Sequence, residues 1–406
     1  MKIIVQKFGG TSVSTPEGRQ AAAAKVQEAI DTGARPVVVV SAMGRSGAPY
    51  ATDTLAGLIR PQGEEGWLRD RDLLISCGEV ISSEVFADCL REAGHAACAL
   101  TGAQAGIVTD DNYGQGRCLR LQPVRLTQLL ERGIIPVVTG FQGSTLDGEI
   151  VTLGRGGSDI TAALLGHALD ASCVEIFTDV DGIMTADPRV VETAQVLKEI
   201  SYGEVFQMAD QGAHVLHPRA VEVAQQAGLD LIVRNTFSDH PGTRISAGVL
   251  APERHLYGDV LSAVAQMTGR TQLRVRQATP VQQSQLLERL ASQGISVDLI
   301  NLGEDHCSVT IEEERTEQAV TAAEALGLDY WISRDCTKVS VIGARMRGRP
   351  GVMSRITRTL LEAGVTLLQT ADSHTTISCL VPSSQADTAM RALHHEFGLD
   401  GPSAGA

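Results

Sequence analysis

The chain reads as an α/β protein: a sandwich built on a largely parallel central sheet, followed by two small βαββαβ modules. Three observations predict this. Short β-branched runs alternate with helical stretches over residues 1–245. A stretch bearing Gly248, Pro252 and Gly258, with Glu253, Arg254 and His255, then interrupts the alternation and reads as a linker over 246–258. Beyond it one order of elements, strand, helix, strand, strand, helix, occurs twice.

In chain order, residues 3–6, 36–41, 134–139, 174–178 and 231–234 are apolar and β-branched, the signature of buried strands. Helical stretches lie between them, among them 16–30 and 161–169. Thr15 is the expected N-cap of the former, with Pro16 at its first position. Parallel strands joined through helices bind ligands at their carboxyl ends, so the loops after these strands are where chemistry is sought.

After the linker, the first repeat comprises strand 272–276, helix 281–293 ending at Gly294, strands 296–302 and 307–312, helix 316–326 and a closing strand 330–333. The second comprises strand 338–342, helix 351–363 ending at Gly364, strands 366–370 and 376–381, and helix 385–397. It has no closing strand of its own, because a Gly/Pro/Ser/Ala tail follows at 401–406. The unassigned run 260–266 fills that gap. The expected division is therefore a first module at 267–336 inserted into a second made of 259–266 and 337–400. Such module pairs commonly sense ligands.

A chain of 406 residues accommodates two or three domains. With 34 Lys and Arg against 48 Asp and Glu, the net charge of −14 disfavours nucleic acid or an anionic membrane as the main partner. Any anionic substrate has to be met by a few locally placed cations. The first apolar run is only three residues long, and no stretch approaches the ~18 apolar residues of a membrane span, so neither a signal peptide nor an anchor is expected. The eight cysteines show no C-x-x-C or zinc spacing, which predicts no metal ligands and a reduced, cytoplasmic protein.

Three segments carry chemistry. Lys7-Phe8-Gly9-Gly10-Thr11-Ser12 follows a strand and precedes a helix; its glycines let backbone N–H groups approach an anion, and Lys7 adds a point charge. It is not a G-x-x-x-x-G-K-[ST] loop, and an ordinary glycine turn is the plainer alternative. Gly154-Arg155-Gly156-Gly157-Ser158-Asp159 opens the helix expected from 161 and suits an anion there, with Arg155 able to grip a carboxylate through two N–H groups. A capped turn would explain Asp159 but not three glycines around one arginine. Thr178-Asp179-Val180-Asp181-Gly182 with Thr185-Ala186-Asp187-Pro188-Arg189 suits nucleotide contacts after a strand, although turn chemistry alone explains its Asp-Gly and Asp-Pro pairs. Ser76-Cys77-Gly78-Glu79 and Ser41-Ala42-Met43-Gly44 are weaker signals of the same kind.

Taken together, Lys7–Ser12, Ser76–Glu79, Gly140-Phe141-Gln142-Gly143, Gly154–Asp159, Thr178–Arg189 and Gly212–Arg219 stand in the order found in aspartokinases, and the chain resembles that family over nearly its whole length. Tyr50-Ala51-Thr52-Asp53 and Ala371-Asp372-Ser373-His374-Thr375-Thr376 are most similar to the diaminopimelate-sensitive type of Bacillus-like bacteria. The resemblance implies an amino-acid-kinase α/β/α sandwich with two C-terminal ACT domains. It implies phosphorylation of L-aspartate by ATP with Mg²⁺ to 4-phospho-L-aspartate, at the head of lysine/diaminopimelate, threonine and methionine biosynthesis. A kinase of the same fold with another acceptor, or an inactive metabolite-binding regulator, are the competing readings.

By the same resemblance Lys7 and Asp159 are the catalytic pair, and Ser41, Thr52, Glu79, Arg155, Gly156, Gly157 and Ser158 hold the substrate. Lys7, Phe8, Gly9, Gly10, Thr178, Asp179, Met184, Arg189, His214 and Val215 meet ATP. Relatives usually carry lysine where His214 stands, so weaker nucleotide binding that improves at lower pH is expected here. Arg349-Pro350-Gly351-Val352 keeps the family's helix start in the second repeat. Ala278-Thr279-Pro280-Val281 lacks the usual acid and glycine, which argues against lysine or threonine sensing by the first. Asp298, Ser373 and His374 are the candidate effector contacts, and effector binding between packed ACT modules implies a homodimer or higher homo-oligomer. Met267 is a candidate internal start for a separate regulatory chain.

Overall fold

The computed structural model describes residues 2–60, 65–213, 216–247, 261–343, 346 and 350–401. It divides into two compact units. The first comprises Met1–Ile183, Val196–Phe206 and His214–Val249; the second comprises Met184–Gln195, Gln207–Ala213 and Leu250–Ala406.

The strands of the first unit are β1 (Ile3–Phe8), β2 (Arg35–Val40), β3 (Ala97–Leu100), β4 (Ile107–Thr109), β5 (Cys118–Leu121), β6 (Ile135–Thr139), β7 (Gln142–Ser144), β8 (Ile150–Thr152), β9 (Cys173–Thr178), β10 (Glu199–Ser201), β11 (Leu231–Asn235) and β12 (Thr243–Ser246). Eight of them form one sheet in the order β10-β12-β11-β9-β1-β2-β6-β3, parallel throughout except between β11 and β12. A smaller sheet runs β5-β4-β7-β8. The helices are α1 (Gly10–Val13), α2 (Pro16–Asp31), α3 (Thr52–Ala56), α4 (Glu65–Glu92), α5 (Val124–Glu131), α6 (Gly157–Ala168), α7 (Tyr202–Asp210) and α8 (Pro218–Ala227), α7 running across the unit boundary.

The five predicted strands are all present, and β2 is buried from Pro36 to Val40, as a strand covered on both faces must be. Thr15 caps α2, accepting the Gly18 N–H at 3.1 Å, with Pro16 at the first position. The sheet's core packs Phe8, Val38, Val40, Val137 and Phe177 against Val26 of α2 and Phe86 and Leu90 of α4. One correction concerns α6. It begins at Gly157 rather than near Thr161, because Gly156 adopts a left-handed φ of +69° and turns the chain into the helix early. Asp159 consequently lies within the first helical turn. Strand β12 also extends to Ser246, the first residue expected of the linker; the rest of that stretch from 248, with His214 and Val215, lies outside the described residues.

In the second unit β13 (Leu261–Arg276), α9 (Pro280–Ser292), β14 (Asp298–Leu302), β15 (His306–Glu312), α10 (Thr316–Glu324), β16 (Asp329–Gly343), α11 (Val352–Glu362), β17 (Gln369–Asp372), β18 (Thr376–Pro382) and α12 (Ser383–Glu396) follow in order. They build one six-stranded sheet, β14-β15-β13-β16-β18-β17. Runs 260–266 and 272–276, expected as separate strands, are one continuous strand from Leu261, and so are 330–333 and 338–342. A bulge between Met267 and Gln272, with Gly269 at φ +67°, bends β13 between its two halves. Its first half faces Lys338–Gly343 across the sheet and its second faces Asp329–Ser333. Strand β14 starts at Asp298, two residues late, and β17 starts at Gln369, three residues later than expected. The second half-sheet packs under α11 and α12, and its core takes in Ala186, Val191 and Ala194. Among the described residues no helix is long and apolar enough to cross a membrane, and all eight cysteines are free.

Candidate active site

The carboxyl ends of β9, β1, β2 and β6 stand level: Phe8 is opposite both Phe177 and Val40, and Val40 is opposite Thr139. The segments predicted to carry chemistry leave the sheet there, as parallel topology requires. After β1 the Gly9 N–H donates to the Phe177 carbonyl at 3.2 Å, and the chain turns at once into α1. Gly10 is pressed against the loop after β2; a Cβ on it would lie 2.5 Å from the Ala42 oxygen and 2.9 Å from that of Gly44. Gly10→Ala should therefore push two loops apart and lower kcat/KM by about a hundredfold or more, read by steady-state kinetics on a variant first checked for folding.

Lys7 Nζ lies 2.7 Å from Asp159 Oδ1, so the first and second predicted motifs meet as an ion pair, each side chain 13% exposed. Asp159 reaches it from the first turn of α6, where the helix dipole favours its negative charge. Thr161 Oγ1 accepts the Phe141 N–H at 3.1 Å and donates to the Gly157 carbonyl at 2.9 Å, tying the loop after β6 to the same turn. Gly157 and Ser158 are buried beneath it, while Arg155 is exposed with no ion-pair partner among the described residues.

The fourth element is α4. Asp72, Ser76 and Glu79 follow at helical spacing on one face and all are buried. Glu79 Oε1 accepts the Ala42 N–H at 3.2 Å, but Glu79 Oε2 has no hydrogen-bond partner among the described residues. Burial pushes this carboxyl up to about 8, with the Ala42 N–H acting in the opposite direction. A buried carboxyl with one free oxygen is a site waiting for a cation or a proton donor. Ser41 donates its N–H to the Phe8 carbonyl at 3.1 Å, and Thr52 opens α3; both are half-buried.

Several expected nucleotide contacts are otherwise engaged. The Phe8 ring is wholly buried and stacks on Phe177 at 4.8 Å, so only its backbone borders the site. Asp179 pairs with Arg45 at 2.9 Å, an exposed pair that no motif joins, and Thr178 donates to Asp179 at 3.2 Å. In the second unit Met184 packs on the hydrophobic core, and Arg189 is paired with Asp187 at 2.6 Å. Of the candidate effector residues, Asp298 pairs with the buried Lys338. Ser373 Oγ is held within its own turn by Thr376, and His374 lies in the same turn. Sequence reasoning missed Asp72, and it gave no role to Arg219 at the end of the Gly212–Arg219 motif, which donates to the carbonyls of Leu153 at 2.8 Å and Gly116 at 3.2 Å.

Residues 2–235 match the Amino acid kinase family and residues 332–395 match an ACT domain. Aspartokinase 1 of Bacillus subtilis is 44% identical over 402 residues, which cover 98% of this chain and all of that one. The aspartokinase of Geobacillus stearothermophilus is 38% identical over 405 residues, 98% of each chain. In structure the chain is similar to E. coli aspartokinase III in complex with lysine and aspartate, with a TM-score of 0.78 at 27% identity over 97% of this chain and 99% of that one. The same enzyme in complex with aspartate and ADP gives 0.74 at 26% identity, with the same coverage.

Proposed function

Because this chain belongs to the aspartokinase family, whose members are ATP-dependent carboxyl kinases, we propose that it makes 4-phospho-L-aspartate at the site formed by Lys7, Glu79, Arg155 and Asp159. The observation that carries the assignment of roles is the buried, half-satisfied carboxyl of Glu79. It fits an α-ammonium group, and the exposed guanidinium of Arg155 fits a carboxylate of the same small molecule. Ser41, Thr52, Gly156, Gly157 and Ser158 line the acceptor side, and Gly9, Gly10, Thr178 and Asp179 the nucleotide side. By family resemblance His214 and Val215 are further nucleotide contacts.

The acceptor needs no base. A β-carboxylate of ordinary pKa, about 3.9, is already ionised at neutral pH. Its oxygen forms a bond to the γ-phosphorus while the bond to the ADP oxygen breaks; no proton moves, and the negative charge passes to ADP. The obstacle is bringing one anion against another. Lys7 lowers it by placing a fixed positive charge at the phosphoryl oxygens, and Asp159 holds the Lys7 ammonium in position. Mg²⁺ would arrive with the nucleotide as MgATP and supply further positive charge at the phosphate oxygens.

The second unit is read as the sensor, with the 267–336 module inserted between 259–266 and 337–400, in a cytoplasmic homo-oligomer. An amino-acid effector (diaminopimelate, lysine or threonine) reaching Asp298 has to compete with Lys338 for it. The test is aspartyl-phosphate formation from MgATP and aspartate, trapped as the hydroxamate, with glutamate and acetylglutamate as alternative acceptors. Each effector is added in turn. Product from aspartate alone, suppressed by diaminopimelate, is expected. Equal product from the other acceptors would move the chain to a sister activity, and no product beside an active control would make it a binding protein.

A further inference from the structure

Helix α4 carries a second buried carboxyl that the phosphoryl-transfer chemistry does not use. Asp72 is fully buried and lies two helical turns before Glu79 on the same face. Its Oδ2 accepts the N–H of Gly114 at 2.7 Å and that of Thr152 at 2.8 Å; its Oδ1 accepts the Thr152 hydroxyl at 2.8 Å. Burial pushes this carboxyl upward, and the three donors act against that shift. Such a cluster is costly to build and carries no substrate-facing atom.

Its partners explain the investment. Thr152 ends β8, three residues before Arg155, and Gly114 belongs to the turn whose Gly116 N–H donates to the Thr152 carbonyl at 2.8 Å. Between Asp72 and Glu79, the Ser76 carbonyl accepts Gln142 Nε2 of β7 at 3.0 Å. One face of α4 thus holds β8 at Asp72, β7 at Ser76 and the loop after β2 at Glu79, in steps of about one turn. We propose that Asp72 is a positioning residue: by clamping Thr152 it fixes how far Arg155 stands from Glu79, and so sets the length of the dicarboxylic amino acid the enzyme accepts. This rests on the reading that Arg155 and Glu79 grip the acceptor's carboxylate and ammonium. Aspartate and glutamate differ by one methylene, so the clamp has to hold its spacing within a fraction of that length.

Asn at position 72 keeps the size but offers one acceptor oxygen where three donors converge. Asp72→Asn should raise KM for aspartate about tenfold or more, leave KM for ATP within about twofold, and narrow the preference for aspartate over glutamate. Thr152→Val, which removes only the hydroxyl bond, should shift the same quantities in the same direction by less, and Thr152→Ser should restore them. This second pair decides the matter if Asp72→Asn fails to fold. Equal rises in both KM values, or an unchanged aspartate KM in folded protein, would overturn the proposal. Arg155→Ala is measured alongside. If it leaves KM for aspartate unchanged, the acceptor reading itself fails and takes the clamp with it; if it raises KM while the position 72 and 152 variants do not, only the clamp is lost.

Discussion

Lys7→Ala should lower kcat by about a thousandfold while KM for aspartate changes only a few-fold. The magnitude follows from the role. A fixed donor or cation aimed at charge that develops in a water-poor site contributes about 3–4 kcal/mol, and each 1.36 kcal/mol is about tenfold in rate. Lys7 is 13% exposed and is held by Asp159 at 2.7 Å, so it arrives already oriented. Asp159→Asn keeps the shape and removes the charge that restrains the ammonium; a loss of about ten- to a hundredfold is expected, with the pH–rate profile unchanged in form. The check is kcat from pH 6 to 9 for both variants. A near-normal Lys7→Ala rate would remove the lysine from the reaction, and an ionisation lost from the Asp159→Asn profile would make Asp159 a proton acceptor after all.

Aspartate should bind tighter as pH rises from 6 to 8, by up to about tenfold per unit, and Glu79→Gln should abolish that slope and raise KM about a hundredfold. In the free protein burial holds the Glu79 carboxyl at about 8, so at neutral pH it is largely protonated. An incoming ammonium prefers the ionised form, and binding therefore expels a proton. Affinity gains with pH until the carboxyl is ionised without help, near 8, and then levels off. The same group should leave a trace on stability. Its folded-state value lies above the ordinary 4.5, so its contribution is intact below that pH and is lost as pH rises through about 8. Ligand-free Glu79→Gln should accordingly be more stable than the native chain at pH 8–9, by on the order of a few kcal/mol at most, and no different from it at pH 4–5. A native-like KM slope in Glu79→Gln would show that the proton comes from elsewhere.

The parallel sheet was legible because each central strand is a β-branched run, and the segments at Lys7, Arg155 and Asp179 announce themselves through neighbouring glycines. In the second unit Leu261–Met267 pairs with Lys338–Gly343, a run that sequence marks only as an unassigned apolar stretch. What could not be read was α4, the longest helix. Its buried stripe includes Asp72, Ser76, Glu79, Ser82 and Ser83, which interrupts the apolar period by which a helix is recognised. Asp72 and Glu79, the two carboxyls given roles above, are among the polar residues that hide the helix in sequence. The pairing of Arg45 with Asp179, and of Asp298 with Lys338, depends on separations of 134 and 40 residues that no local pattern encodes.

The segment Met184–Gln195 follows β9 in the chain, yet it lies in the second unit, where Ala186, Val191 and Ala194 enter the core. Thr185 Oγ1 meets His394 Nε2 of α12 at 2.8 Å, and His394 Nδ1 meets Asp400 at 2.9 Å. The backbone changes unit at 183/184, 195/196, 206/207, 213/214 and 249/250, so no single cut separates catalyst from sensor. For inheritance this matters: the sensor is not a detachable cassette that a gene can lose or lend by one breakpoint. A polypeptide translated from Met267 would lack Leu261, Val264 and the whole 184–195 segment. It would expose the apolar surface they cover, and would have to borrow cover from another polypeptide to stand as a folded protein.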